Sequence, residues 1–178
     1  MNTLKGIPGW IFRLLGSLAA VALVAGLALA PAYASGAADE ATPPAPGHRV
    51  EALEKAYQRE LAWLAIQTNH LADAATIAAR VQTFIDKAKG EGKDTSALEA
   101  ALSAFKSQVA VAQAAHDTAA GILATHAGFD DSGHVTDQAQ AIETVRQARQ
   151  SLQDAHLALR GAMADLRLAI RTWRSANR

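Results

Sequence analysis

Cysteine is absent from this chain, which excludes disulfides, thiolate metal sites, covalently attached haem and a lipidated-cysteine anchor. Aromatic residues make up only 5% of the 178 positions, too few for a round core built on large rings. Much of the 50% hydrophobic content is alanine, which buries little area per residue. Net charge is missing too: 17 basic side chains balance 17 acidic ones, and without residues 1–34 the balance is −2. That is not the balance of a dedicated nucleic-acid binder. Beyond residue 34 no apolar run is long enough to span a bilayer, and no strand signal, Rossmann glycine pattern or P-loop occurs anywhere.

What is present is heptad order. Ala141, Ala148, Ala155, Ala162 and Ala169 recur every seven residues, interleaved with Val145, Leu152, Leu159, Leu166 and Trp173. One seam position is thus always alanine and the other always large, which predicts a long helix packed at close approach on another helix. Upstream, Val50, Tyr57, Leu64, Leu71, Ala78 and Ile85 hold one heptad position of a first helix, with Leu53, Ala74, Val81 and Ala88 at the other. Glu60 and Gln67 interrupt that second set, while Leu61, Trp63, Ile77 and Phe84 widen the apolar face towards two neighbours. A middle helix carries Leu98, Leu102, Phe105, Val109, Ala112, His116, Ala119, Leu123 and His126 along its seam.

Punctuation divides the chain. Lys5 and Arg13 precede the apolar run Leu14–Ala30, and Ala32-x-Ala34 follows, so residues 1–34 read as a signal peptide cleaved before Ser35. Retention as an uncleaved membrane anchor is the less favoured reading, and a secreted or periplasmic location is expected. Residues 35–48, with Pro43, Pro44 and Pro46, read as a disordered linker. Helices are expected over about 49–89, 95–127 and 137–176, with Ser96-x-x-Glu99 as a capping box and Thr136 or Asp137 as the last N-cap. The expected fold is all-α: an elongated up-down-up antiparallel three-helix bundle, coiled-coil-like, with alanine-rich seams. A homodimer with the first helix exchanged between chains is the alternative assembly.

The chemistry is sparse. Folding the first two helices about Gly92 places His70 level with His116, and with Asp73 these are the weak candidates for a zinc or copper site. No His-x-x-x-His or Glu-x-x-His pair supports them, so no metal and no cofactor is assigned. His116 and His126 fall on seam positions, where protonation would put charge into apolar packing; a lower melting temperature at pH 5 than at pH 7.5 is expected from them. Asp130-x-Ser132-Gly133 lacks the spacing of a calcium loop and reads as a turn between helices. No nucleophile elbow or carboxylate dyad appears, and an enzyme is not expected.

The most organised surface feature is basic. Arg146, Arg160, Arg167 and Arg174 share one heptad position of the last helix, and Arg171 and Arg178 extend the same outward side. They are the candidate docking residues, for an unknown protein or an anionic component of the cell envelope. Single-stranded nucleic acid is not expected, because Trp173 is the only aromatic near them. The expected function is a non-catalytic structural or interaction module of the cell envelope. The alternatives are a metal- or small-ligand-binding bundle and a periplasmic chaperone-like stress protein, although the repeated Leu-Thr-x-x-Gln motif of such chaperones is missing.

Overall fold

The computed structural model describes residues 46–177. The expected signal peptide, residues 35–45 of the linker and Arg178 lie outside the described residues. Three helices make up the fold: α1 (Pro46–Gly90), α2 (Ser96–Thr125) and α3 (Gln138–Ala176). At 1.5 Å per residue they are roughly 68, 45 and 58 Å long. Hydrogen bonds at both ends establish the up-down-up order. Trp173 Nε1 donates to Asp94 O at 2.6 Å at one end, while Tyr57 Oη donates to Leu123 O at 3.0 Å and Thr144 Oγ1 to Ala127 O at 2.8 Å at the other. The expected three-helix bundle holds, with α1 packed against the α2–α3 hairpin of its own chain. Among the described residues no helix is long and apolar enough to cross a membrane.

The helix boundaries differ from expectation by a few residues, each for a local reason. α1 begins at Pro46, three residues inside the expected linker. Proline is tolerated in a first helical turn, where its missing N–H has no partner to lose. The N-cap of α2 is Thr95 and not Ser96. Its hydroxyl donates to Glu99 Oε1 at 2.7 Å, the Ser96 N–H donates to Asp94 Oδ1 at 2.9 Å, and Lys89 reaches the same Glu99 oxygen at 2.7 Å. At the start of α3 Asp137 is the cap, accepting the Gln140 N–H at 3.0 Å.

α2 and α3 pack on each other most extensively, with alanines of both helices among the buried residues. Ala112, Ala119, Ala141 and Ala148 are wholly buried, alongside Leu98, Leu123, Leu152, Leu166 and Phe105. Alanine opposite a large residue lets the backbones approach, so a larger side chain there finds no room. Ala155→Leu should therefore destabilise by roughly 1–3 kcal/mol in a denaturant titration. A neutral or stabilising effect would contradict close packing at this seam.

α1 packs differently. The two residues that interrupt its apolar pattern, Glu60 and Gln67, are themselves buried at 3% exposure each. Gln67 Nε2 donates to Leu152 O of α3 at 2.6 Å. Arg149 of α3 donates from Nε and Nη2 to Glu60 Oε1 at 2.9 and 2.8 Å. A polar layer thus ties α1 to α3, and it sets which turn of one helix faces which turn of the other. At the same end of the bundle, Tyr57 stacks on Phe129 of the 126–137 connection, centroids 4.3 Å apart, in a cluster with Ala56, Leu123, Ala141, Val145 and Ala148. Burial pushes the Tyr57 hydroxyl pKa up.

Candidate docking interface

The arginines of α3 do not form the single outward strip that their heptad spacing suggests. A straight α-helix falls about 20° behind a seven-residue repeat with every heptad. The buried band of α3 records this drift. Thr144, just before Val145, is buried near the start; Met163 and Ile170, just after Ala162 and Ala169, are buried near the end, where Ala169 itself is only half-buried. Four heptads separate Arg146 from Arg174, so one heptad position turns by about 80° between them.

The six candidates accordingly divide. Arg146 is exposed but grips Glu143 through two hydrogen bonds of 2.8 and 2.6 Å, far from the basic end. That pairing raises the Arg146 pKa and lowers that of Glu143. Arg167 and Arg174 are half-buried, and the Arg174 guanidinium lies 5.6 Å from the Phe84 ring centroid of α1. Arg160 and Arg171 are exposed on the outer face. Arg178 lies outside the described residues. Glu51, Glu54 and Glu60 of α1 are engaged towards the other end of the bundle. Glu51 pairs with Lys55 at 2.6 Å, Glu60 with Arg149 at 2.8 Å, and Glu54 accepts the Val135 N–H at 3.1 Å.

Two residues beside the arginines escaped the sequence reading. Leu157 and Leu168 are 62% and 55% exposed on the outer side of α3. Their signal was available, since both are large apolar residues off the seam, eleven positions apart.

The histidine grouping does not assemble. Among the described residues no three His, Asp or Glu side chains are placed to hold a metal ion, so His70, His116 and Asp73 remain apart. His116 is buried at the height expected, but its Nε2 lies 3.1 Å from Thr68 Oγ1 and 3.4 Å from Leu64 O, and its Nδ1 lies 3.3 Å from Asp117 Oδ1. Both ring nitrogens thus lie within 3.4 Å of oxygen atoms. His126 is the left-handed C-cap of α2, half-buried, with Nδ1 3.1 Å from Ala124 O and Nε2 3.4 Å from Asp131 Oδ1. His116 is therefore buried on the α2 seam as expected, with oxygens beside its ring nitrogens, whereas His126 ends the helix and leaves the seam. The Asp130 segment is the expected turn: its carboxylate accepts the Ser132 and His134 N–H groups at 2.9 Å each, and these bonds lower its pKa.

A pH dependence follows from His156. This residue is half-buried on α3, its ring 6.4 Å from that of Trp63, and burial, then Arg160, then His70 lower its pKa. A depressed folded pKa means that the folded state holds the neutral ring more readily than the unfolded chain does. The resulting stabilisation is complete above the unfolded value near ~6.5 and is lost as pH falls through that value towards the folded pKa. Melting temperature should therefore fall between pH 7.5 and pH 5, and His156→Phe should shrink that fall. An undiminished fall in the variant would assign the effect to another group.

The chain matches no model of a known protein family, no curated protein and no solved structure.

Proposed function

We propose that this protein is a non-catalytic helical module of the cell envelope, exported from the cytoplasm, that docks an anionic partner through the outer face of α3. The observation that carries the reading is the charge of that face. Arg160 and Arg171 are exposed there, Arg167 and Arg174 border it towards α1, and Asp165 is the only acid from residue 157 onward. A fixed cluster of cations on a rigid helix attracts polyanions at low ionic strength and releases them when salt screens the field. The export part of the reading rests on residues 1–34 and requires a product beginning at Ser35, which mass measurement of the exported protein would reveal.

The docking part is tested on immobilised heparin. The full chain should be retained at about 0.05 M salt and released by about 0.5 M, where screening shortens to a few ångströms. Arg160→Ala with Arg171→Ala should elute early with an unchanged melting temperature, because both side chains are exposed. Flow-through of the unsubstituted protein at low salt would overturn the reading.

A further inference from the structure

We propose that the partner of this face is an anionic lipid bilayer, on which α3 lies with its axis along the surface from Leu157 to Arg171. The proposal rests on the anionic-docking reading above and narrows it to one occupant. Leu157 and Leu168, 62% and 55% exposed, are eleven residues apart. At about 100° and 1.5 Å per residue they lie roughly 16 Å apart along the helix and only about 20° apart around it. Gly161 and Ala164 fall between them on the same line, within about 40°. Both are exposed, and a Cβ added at Gly161 would meet nothing within 4 Å. No bulky polar side chain therefore holds the two leucines away from a flat apolar boundary.

The charges complete the match. Arg160 and Arg171 lie about 50–70° to one side of the leucine line, and Asp165 about 70° to the other. With the leucines below the phosphate level, the long arginine side chains reach phosphates beside them, the arrangement of interfacial helices. An acidic protein or a soluble polyanion would engage the arginines but leave the exposed leucines without a role. A bilayer surface accounts for both.

The absence of cysteine supplies the test. Gly161→Cys in the full chain gives a single thiol, in the middle of the face, for an environment-sensitive fluorophore. The label reports this face alone, whatever residues 1–34 do. With vesicles containing phosphatidylglycerol the emission should shift to the blue and rise several-fold, and about 0.5 M salt should reverse the change. Vesicles of phosphatidylcholine alone should leave it unchanged. Leu157→Ser with Leu168→Ser, or Arg160→Gln with Arg171→Gln, should each weaken vesicle binding about tenfold or more, and Asp165→Asn should strengthen it. The leucine pair should leave heparin retention intact.

Heparin retention without any vesicle response would overturn the bilayer proposal and leave the arginine reading standing. Loss of both would overturn both. An equal response to phosphatidylcholine, or a blue shift that grows with protein concentration in the absence of vesicles, would also overturn it, in favour of uncharged adhesion or self-association.

Discussion

Gly128→Ala should destabilise the fold by roughly 3–4 kcal/mol, from left-handed strain and overpacking together. Gly128 follows the αL C-cap of α2 and has φ of +85°. A Cβ there would stand 2.2 Å from Ala141 N, 2.6 Å from Asp137 O and 2.8 Å from Ala141 Cα. All three are backbone atoms at the start of α3, and they cannot swing away as a side-chain end would. The Gly128 carbonyl also accepts the Thr136 and Asp137 N–H groups at 2.9 and 3.2 Å, so any shift loosens the α3 cap as well. Two controls separate the contributions. Gly92 has φ of +76° but nothing within 4 Å of an added Cβ, so Gly92→Ala should show strain alone, about 1–2 kcal/mol. Gly121 lies within α2 with open space around it, so Gly121→Ala should stabilise by nearly 1 kcal/mol. Denaturant midpoints in the order Gly121→Ala, unsubstituted, Gly92→Ala, Gly128→Ala are the expected result. A Gly128→Ala midpoint level with that of Gly92→Ala would show that the connection yields.

Arg149→Ala should destabilise by about 3 kcal/mol, the lower end for breaking a buried pair, because Arg149 itself is partly in water. Glu60 retains only 4% side-chain exposure, whereas Arg149 retains 44%. Removing the arginine strands a buried carboxylate whose Oε2 already takes no hydrogen bond among the described residues. Removing the glutamate instead returns a half-exposed guanidinium to solvent. Glu60→Leu should accordingly cost much less than Arg149→Ala, and Glu60→Leu combined with Arg149→Leu should be neutral or stabilising, since apolar pairs of matching volume commonly replace buried ion pairs without loss. Equilibrium unfolding of Glu60→Leu, Arg149→Leu and their combination forms a cycle that isolates the pair. If Arg149→Ala proves as mild as a surface substitution, the pair contributes nothing beyond its exposed half.

These two sites mark the limit of what local pattern conveys. The α3 seam was legible because a seven-residue alternation of alanine and large residues is a one-dimensional signal; all its members but the half-buried Ala169 are buried. The α2 seam was legible for the same reason up to Leu123, and failed at His126, where the chain leaves the helix through a left-handed residue. Helix ends were readable to within a few residues because caps and glycines act on their neighbours.

Pairings between helices were not readable. Glu60 and Gln67 looked like breaks in a seam, yet they are buried because Arg149 and the Leu152 carbonyl, 89 and 85 residues away, meet them. His70 and His116 were expected at one height and do lie near it, but helix rotation turns His70 towards α3, within electrostatic reach of His156, while His116 faces Thr68 and Leu64. The arginines show the same limit, since a heptad position names a face only while the helix keeps step with the repeat.

By itself, the sequence determined that this protein is three long helices joined by short turns, held along alanine seams and basic at one end. Periodicity, caps and composition act within a few turns of chain, and they suffice for that. The tertiary structure alone decided which polar residues are buried in pairs, what surrounds each histidine, and that the face carrying Arg160, Arg171, Leu157 and Leu168 is exposed while Arg167 and Arg174 are half-buried. Those outcomes depend on the rotation of each helix about its axis against its neighbours. Rotation is set by contacts between residues far apart in the chain, and a drift of about 20° per heptad is enough to carry an arginine from solvent to a flank.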